Sequence, residues 1–362
     1  MRRLLTLALL VLTLVQPADA KRFLGGDISM LKAHQEEGVI YRDLSGHPVE
    51  PLELFRQMGW NMMRVRLFVD PEKAPKEHHD QGVCQDLAYV IDLCRTIRTA
   101  GFGIMLDFHY SDTWADPAKQ FMPSRWAHTP SQELPDSVYS YTRQCLMAMD
   151  AAGVAPDMIQ VGNEITFGMM WPAGKVDPMS DNNWDRLTDL LRAGCRACRE
   201  VCPRARLIIH TEKAGVWPMT EAYYRRLRDA RLDYDIIGLS YYPMWHGTIP
   251  NLGLTLDRLA DEFPKKPVMI VEAAYYYRHD GINRGEEDFS QCLPGTVDGQ
   301  RQFTAQLVDE LKRHSNVTGL FWWYPEENRY GGQRRHGGLN RGLFDNHTGI
   351  VLPAIVEMKR FR

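Results

Sequence analysis

Short apolar runs rich in β-forming residues alternate along the chain with longer amphipathic segments. The short runs predict eight strands, at residues 23–29, 61–68, 103–110, 158–164, 206–211, 235–242, 268–274 and 319–324. In six longer segments the apolar positions recur every three or four residues, as is typical of helices: 48–59, 84–101, 136–153, 183–201, 220–231 and 298–314. Several of these segments end in glycine, a common helix stop signal.

This alternation predicts an α/β fold of one architecture, a (β/α)8 TIM barrel. Near-continuous apolar strands suit such a barrel because helices cover the outer face of its parallel sheet and side chains fill the inside. An open doubly wound sheet is the alternative, but it more often carries a glycine-rich phosphate turn after its first strand. The run "GGDIS" has no G-x-G-x-x-G pattern. No linker or repeat interrupts the chain, so we expect a single barrel domain over residues 21–362.

The first twenty residues have the pattern of a secretory signal peptide. Arg2 and Arg3 precede the apolar run "LLTLALLVLTL", and residues 18–20, Ala-Asp-Ala, fit a cleavage site. A membrane anchor is the alternative, but the run is shorter than the ~18 to 20 apolar residues that a spanning helix needs. We therefore expect export, into the medium or the periplasm, after cleavage near Ala20.

Composition and charge narrow the classes of partner. The chain has 362 residues, 44% of them hydrophobic, and a formal net charge of -3 at pH 7. Such a balance argues against a surface built for nucleic acid or for anionic lipid. We expect a monomer with neither nucleic acid nor a membrane as partner.

The seven cysteines form an odd set, so at least one thiol has no partner within the chain. Cys195, Cys198 and Cys202 are spaced to share one face of a helix. A metal cluster is one interpretation, but a second cysteine pair or a histidine at finger spacing is missing nearby. Packed or disulfide-linked helical cysteines are the interpretation that we favour.

Glu164 ends the fourth predicted strand, and Glu272 lies near the end of the seventh. In a barrel the carboxyl ends of all strands meet at one face, where functional residues are placed. Hydrolysis of a glycosidic bond requires two carboxyl groups, one to protonate the leaving oxygen and one to attack or to activate water. If the two groups are about 5 to 5.5 Å apart, the second acts as a covalent nucleophile. For either glutamate alone, an ion pair to a neighbouring strand is the plainer interpretation.

Residues beside these glutamates strengthen the chemical interpretation. Asn163 can donate to a sugar hydroxyl next to the reacting carbon. Arg64 and Arg66 offer charge that would keep one glutamate ionised. Because one residue separates the two arginines, we expect only one of them to point into the barrel centre. Tyr241 or Tyr242 could donate a hydrogen bond to the nucleophile.

Seven motifs stand in order along the chain: "GGDIS", "NMMRVRLF", "LDFHYSDTWADPAKQ", "IQVGNEI", "IIGLSYYPMWHG", "VEAAYYY" and "FWWYP". Together they resemble glycoside hydrolase family 53, the endo-β-1,4-galactanases of a large clan of retaining barrel glycosidases. The resemblance implies that Glu164 is the general acid/base and Glu272 the nucleophile. It also implies a polysaccharide substrate, β-1,4-galactan.

We expect eight further residues to line the substrate cleft: Asn163, Arg64, His109, Trp114, Asp116, His210, Tyr242 and Trp323. The resemblance assigns Asn163 and Arg64 to the substrate's 2-hydroxyl and the nucleophile. It assigns the third-strand motif, with His109, to the cleft, and Trp323 to the face of the sugar being cleaved.

Two departures from the family pattern bear on cofactors and subsites. Many bacterial members carry an Asp-x-Asp-x-His-x-Asn calcium run after strand seven, and residues 275–290 do not contain it. We therefore expect no cofactor and no metal. The usual Trp-Glu-Pro of strand eight is Trp323-Tyr324-Pro325 here, which could alter a subsite.

Several alternatives stay open at this point. Another retaining barrel glycosidase, such as a β-mannanase, would share the two glutamates, and a catalytically silent carbohydrate-binding barrel would share the cleft. A metal-dependent hydrolase would use His109, His210 and a carboxylate. The arginine-rich loop "GGQRRHGGLNRG" could touch an acidic pectin backbone, although a solvated loop is the plainer interpretation.

Overall fold

The computed structural model describes residues 22–279, 281, 286–332 and 338–362. Within these residues eight parallel strands close into a barrel: Phe23–Asp27 (β1), Met62–Leu67 (β2), Gly103–Phe108 (β3), Met158–Val161 (β4), Arg206–Thr211 (β5), Ile236–Tyr241 (β6), Val268–Ala273 (β7) and Val317–Trp323 (β8). Each strand pairs with its neighbours in the sequence, and β8 pairs with β1. The predicted (β/α)8 barrel is confirmed.

Helices connect the strands and surround the barrel. They are Leu31–Glu36 (α1), Pro51–Gln57 (α2), Lys76–Asp80 (α3), Leu87–Thr99 (α4), Leu134–Ala151 (α5), Trp184–Val201 (α6), Trp217–Asp229 (α7), Pro243–His246 (α8), Ile249–Glu262 (α9), Val297–Arg313 (α10) and Ala354–Lys359 (α11). All six predicted helical segments are found, whereas α9 was not predicted. A small antiparallel pair, Gly168–Met169 with Gly174–Lys175, lies in the loop after β4.

Two layers fill the inside of the barrel. The lower layer is an apolar cluster with four methionines: Met62, Met105, Met158, Ile208, Ile236, Met269, Val271 and Phe321. Each of these buried side chains stabilises the fold by about 1.5–3 kcal/mol relative to an exposed one. Above this layer, toward the carboxyl ends of the strands, the interior side chains are charged or polar.

Arg64 and Arg66 both belong to the upper layer, so the expectation that only one of them faces the barrel interior is wrong. Successive side chains of a strand alternate, and residues two apart therefore share a face. Arg64 and Arg66 both contact the carboxylate of Asp27, at 2.7 and 3.5 Å. Each is almost fully buried.

All seven cysteines are free thiols, which decides for packing over disulfides on α6. Cys195, Cys198 and Cys202 are buried in the main hydrophobic core. Burial raises the pKa of Cys195 to about 12, and of Cys202 to about 11, so these thiols stay protonated. Their role is that of small apolar side chains.

The predicted signal peptide lies outside the described residues. No helix in the part of the chain that the structure describes is long and apolar enough to cross a membrane.

Candidate active site

Arg64 occupies the centre of the charged layer, in the middle of β2. Its guanidinium contacts Asp27 and Asp107 at 2.7 Å each, and Glu272 at 2.8 Å. Burial alone would lower the pKa of Arg64, but the carboxylates of Asp107, Glu272 and Asp27 together raise it above its ordinary value. The side chain is therefore a permanent cation that fixes three strand ends relative to one another.

Glu272, on β7, has both carboxylate oxygens held. Arg64 contacts Oε1 at 2.8 Å, and the hydroxyl of Tyr242 donates to Oε2 at 2.9 Å. Burial raises the pKa of Glu272, while Arg64 and Tyr242 act against that rise by favouring the ionised form. Of the two tyrosines considered from the sequence, Tyr242 is the one in contact, because the Tyr241 hydroxyl donates to the carbonyl of Gly247.

Glu164 lies just past the end of β4 in a left-handed backbone conformation, with φ of +49°. Such a conformation is unfavourable for a residue with a side chain and is found mostly where the surroundings enforce it. The backbone N–H of Glu164 donates to Nδ1 of His210, 3.3 Å away on β5. This contact helps to hold the strained turn that aims Glu164 into the cleft.

A chain of hydrogen bonds runs from His210 through Ser240 to Glu164. Nε2 of His210 is 2.8 Å from the Ser240 hydroxyl, which in turn donates to Oε1 of Glu164 at 2.6 Å. A peptide N–H can only donate, so Nδ1 of His210 accepts from Glu164 and the ring proton is on Nε2. The proton of Ser240 must then point at Glu164, and an acidic proton on this carboxyl group belongs on Oε2.

The electrostatics of these residues follow from burial. Burial and the nearby Arg64 lower the pKa of His210 well below its ordinary value, so the ring is neutral. Burial, Glu272 and Glu212 raise the pKa of Glu164 well above its ordinary value. A carboxyl group with a raised pKa retains its proton near neutral pH, as a general acid must.

Asn163 links the arginine to the loop after β3. Its side-chain oxygen accepts from Arg64 at 2.7 Å and from Gln160 at 3.2 Å, and its Nδ2 donates to the carbonyl of Ala115 at 2.8 Å. The amide is thereby oriented, with one of its two N–H hydrogens used on Ala115. The second hydrogen is available to a ligand.

Three predicted residues belong to the third-strand motif, and each of them contacts other groups of the protein. Nδ1 of His109 accepts from the N–H of Ala115, and its Nε2 contacts Asp107 at 3.0 Å. The ring of Trp114 lies 4.2 Å from the Arg66 guanidinium carbon. Asp116 accepts from two backbone N–H groups of its own turn and pairs with the Lys119 ammonium. Contact of these side chains with substrate stays a prediction.

Trp323, at the end of β8, is half-buried, with its ring beside Tyr324 at a centroid distance of 5.5 Å. It thus lies at the rim of the same barrel end as Glu164 and Glu272. One connected network below this rim contains six of the predicted residues: Glu164, Glu272, Asn163, Arg64, His210 and Tyr242.

The chain matches the model of glycosyl hydrolase family 53 over residues 23–358. The chain belongs to glycosyl hydrolase family 53. It is 33% identical to an endo-β-1,4-galactanase of Bacillus subtilis, over 83% of this chain and 69% of that protein. An arabinogalactan endo-β-1,4-galactanase of Cellvibrio japonicus is 31% identical, over 84% of this chain and 80% of that one.

A solved family 53 catalytic domain of Ignisphaera aggregans superimposes with a TM-score of 0.84 at 29% identity, covering 96% of this chain and 98% of that one. The family predicted from the motifs is confirmed, and the protein is a glycoside hydrolase.

Four residues of this family 53 site were not predicted from the sequence: Asp107, Gln160, Glu212 and Ser240. Asp107 and Gln160 sit in otherwise apolar runs, two and four residues before a predicted site residue. Residues two or four positions apart share a face of a strand, so this spacing puts both on the inward face. It is the feature of the sequence from which they could have been predicted. Glu212 follows β5 directly and is buried, with its carboxylate accepting from Thr166 at 2.7 Å.

Both nitrogens of His109 and of His210 contact protein atoms, so the two histidines of the metal-dependent alternative are already used within the protein. Within the described residues, no group of three or more His, Cys, Asp or Glu side chains could hold a metal ion. The segment in which family 53 members can carry a calcium run lies partly outside those residues. The expectation of no cofactor stays a prediction.

Proposed function

We propose that the protein is an endo-β-1,4-galactanase that cleaves galactan, the galactose side chain of pectin, with retention of configuration. The names of its relatives support the substrate. The observation that carries the mechanism is the contrast between two buried carboxylates at one barrel end. Burial and neighbouring carboxylates raise the pKa of both groups, but Arg64 and Tyr242 counter that rise at Glu272, whereas at Glu164 the Ser240 hydrogen bond is the opposing contact and the pKa is raised well above its ordinary value.

In the first step a carboxylate oxygen of Glu272 attacks the anomeric carbon and forms a glycosyl ester. Glu164 donates its proton to the glycosidic oxygen, so the bond between that oxygen and the anomeric carbon breaks and the leaving chain departs as an alcohol. In the second step the ionised Glu164 takes a proton from water, whose oxygen attacks the anomeric carbon and releases Glu272. Each step transfers one proton through Glu164, and two displacements at one carbon retain its configuration.

Digestion of linear β-1,4-galactan tests this proposal. We expect internal cleavage, seen as a rapid fall in polymer length before short oligosaccharides accumulate. Proton NMR of the earliest products should show new β-anomeric ends. New α-anomeric ends would refute the double displacement, since they indicate direct attack by water.

The same digestion separates the other candidates. A β-mannanase would cleave mannan and leave galactan intact. A silent carbohydrate-binding barrel would bind galactan and cleave neither polymer.

We also propose that the protein is exported, because residues 1–20 have the pattern of a signal peptide. The mass of the protein recovered outside the cytoplasm of its native host should match a chain that begins at Lys21. Retention of the first twenty residues would contradict cleavage. Its monomeric state stays a prediction, which sedimentation can test.

A further inference from the structure

Arg341 lies in the loop after β8, in a segment that the mechanism above does not use. It belongs to the arginine-rich run for which contact with a ligand and solvation were both considered. Residues 333–337 of that run lie outside the described residues, but Arg341 is 7% exposed and thus not a solvated surface group. Its position therefore needs another explanation.

The backbone at Arg341 is held on both sides. Its N–H donates to Oε2 of Glu327 at 3.0 Å, and its carbonyl accepts from the indole N–H of Trp322 at 2.9 Å. Glu327 is fully buried, and its carboxylate also accepts from the backbone N–H groups of Gly338, Asn340 and Gly342. One carboxylate with four backbone donors makes a rigid loop, so the direction of the arginine is set before any ligand arrives.

The side chain of Arg341 extends among aromatic rings. Its guanidinium carbon lies 5.1 Å from the ring of Trp323 and 5.3 Å from that of Trp245, with the rings of Tyr242 and Tyr276 at 5.8 and 5.4 Å. Among the described residues no carboxylate lies within ion-pair distance of it. The Nε atom is buried and has no hydrogen-bond partner.

A buried guanidinium without an anionic partner is unfavourable, and aromatic faces offset only part of that cost. The remaining donors need acceptors, which a ligand can supply. Tyr242 connects this place to Glu272, since it lies beside Arg341 and donates to that carboxylate. A negatively charged ligand group would meet the repulsion of Glu272, so uncharged oxygen acceptors fit better.

We propose that Arg341 is a substrate-binding residue whose guanidinium donates to hydroxyl groups of the galactosyl unit that packs on Trp323. The apolar face of galactose covers the indole, and the hydroxyls at the edge of the sugar ring reach the guanidinium. This inference rests on the proposed function, because it takes the neutral galactan chain as the ligand.

The test compares three variants in hydrolysis and in binding. Arg341→Gln removes the charge and the two-donor fork, whereas Arg341→Lys keeps the charge alone. Arg258→Gln is the matched control, because Arg258 also stacks on a tryptophan, Trp217, but belongs to the outer helix α9. Affinity for galactotetraose is measured by calorimetry in the Glu164→Gln background, where we expect hydrolysis to be about 10³-fold slower.

We expect Arg341→Gln to weaken galactotetraose binding and to raise KM about tenfold to a hundredfold, the range for losing hydrogen bonds from a charged donor. Arg341→Lys should fall between it and the parent, and Arg258→Gln should bind like the parent. If Arg341→Gln does not fold, the lysine variant decides, and its unchanged affinity would overturn the inference.

Parental affinity and KM in a folded Arg341→Gln enzyme that still cleaves galactan would refute this role alone. A wild-type protein that neither cleaves nor binds galactan would refute the proposed function instead.

Discussion

Glu164 and Glu272 are the same residue type at the same end of one barrel and both are buried, yet among the described residues only Glu272 has a cation in contact. Arg64 and Tyr242 hold both oxygens of Glu272. Glu164 accepts one hydrogen bond from Ser240, and its charged neighbours are carboxylates. The difference lies in neighbours on other strands, rather than in the glutamates themselves, and it is what supports the proposed roles of Glu164 as acid and Glu272 as nucleophile.

Replacing the two glutamates should produce the largest effects. Glu272→Gln removes the nucleophile, and we expect kcat to fall about 10⁴-fold or more on every substrate. Glu164→Gln should lower kcat about 10³-fold on galactan, but much less for the first step with an aryl galactoside, whose leaving group needs no proton. Steady-state and burst kinetics on both substrates measure the difference.

Glu326→Gln is the matched control, because Glu326 is also buried and accepts from the N–H of Met30, a contact that an amide oxygen can keep. Equal losses for Glu164→Gln on the two substrates would contradict the assignment of Glu164 as proton donor.

Substitution of Arg64 should weaken the contact that favours the ionised form of Glu272, and should thereby reduce its difference from Glu164. Arg64→Lys keeps the charge but loses the fork that reaches several acceptors, and we expect kcat/KM to fall about 10²-fold. Because the charge of Arg64 lowers the pKa of Glu272 and the nucleophile must be ionised, the acidic limb of the pH profile should move to higher pH in Arg64→Met, which removes that charge.

Arg64→Met should in addition destabilise the fold by about 3–5 kcal/mol, since it leaves Asp107 without its arginine and Asp27 with the longer contact to Arg66 alone. Urea unfolding checks the loss. An unchanged acidic limb in the methionine variant would show that Arg64 acts on the fold alone.

Ser240→Ala should affect Glu164 and leave Glu272 unchanged. The Ser240 hydroxyl favours the ionised form of Glu164, so its loss should move the alkaline limb of the pH profile to higher pH. We also expect kcat to fall about tenfold, because Glu164 loses the hydrogen bond that orients its carboxyl group. Ser240→Thr keeps a hydroxyl and serves as the control. A shift of the acidic limb instead would show that Ser240 acts on Glu272 and not on Glu164.

The smallest expected effect belongs to Glu212. Its carboxylate raises the pKa of Glu164, so Glu212→Gln should move the alkaline limb to lower pH, opposite in direction to Ser240→Ala. The maximal rate should change by less than about threefold, because Glu212 touches Thr166 and not the cleaved bond. Combining the two substitutions should return the limb toward its original position.

The strands could be predicted within a few residues because each is a short, mostly apolar run of residues that favour β-structure. Helix α9 was missed, although Leu252, Leu256 and Leu259 are spaced as on a helix face. Pro250 and Gly253 resemble helix breakers, but a proline is tolerated in the first turn. Gly253 is where α9 passes close to α10, since a Cβ there would meet the Glu310 carboxylate. Only the neighbouring helix reveals that reason.

The residues of the site likewise fall into those that the sequence could predict and those that it could not. Glu164 and Glu272 stand out because a carboxylate interrupts an apolar run. Ser240 carries no such signal, since a serine within a strand is unremarkable until His210 and Glu164 are seen on either side of it. These contacts connect residues in or just after three different strands, so the residue spacing along any one strand cannot predict them.

The methionine-rich layer below the charged network has a consequence for proton traffic. Buried thioether and hydrocarbon side chains such as Met62 and Met269 give this layer a low permittivity and offer no strong hydrogen-bonding groups to water. When a polysaccharide covers the mouth, the carboxyl groups are insulated from above and below. In the proposed mechanism, proton exchange with Glu164 would then take place on the cleft side, with the sugar oxygens and the attacking water.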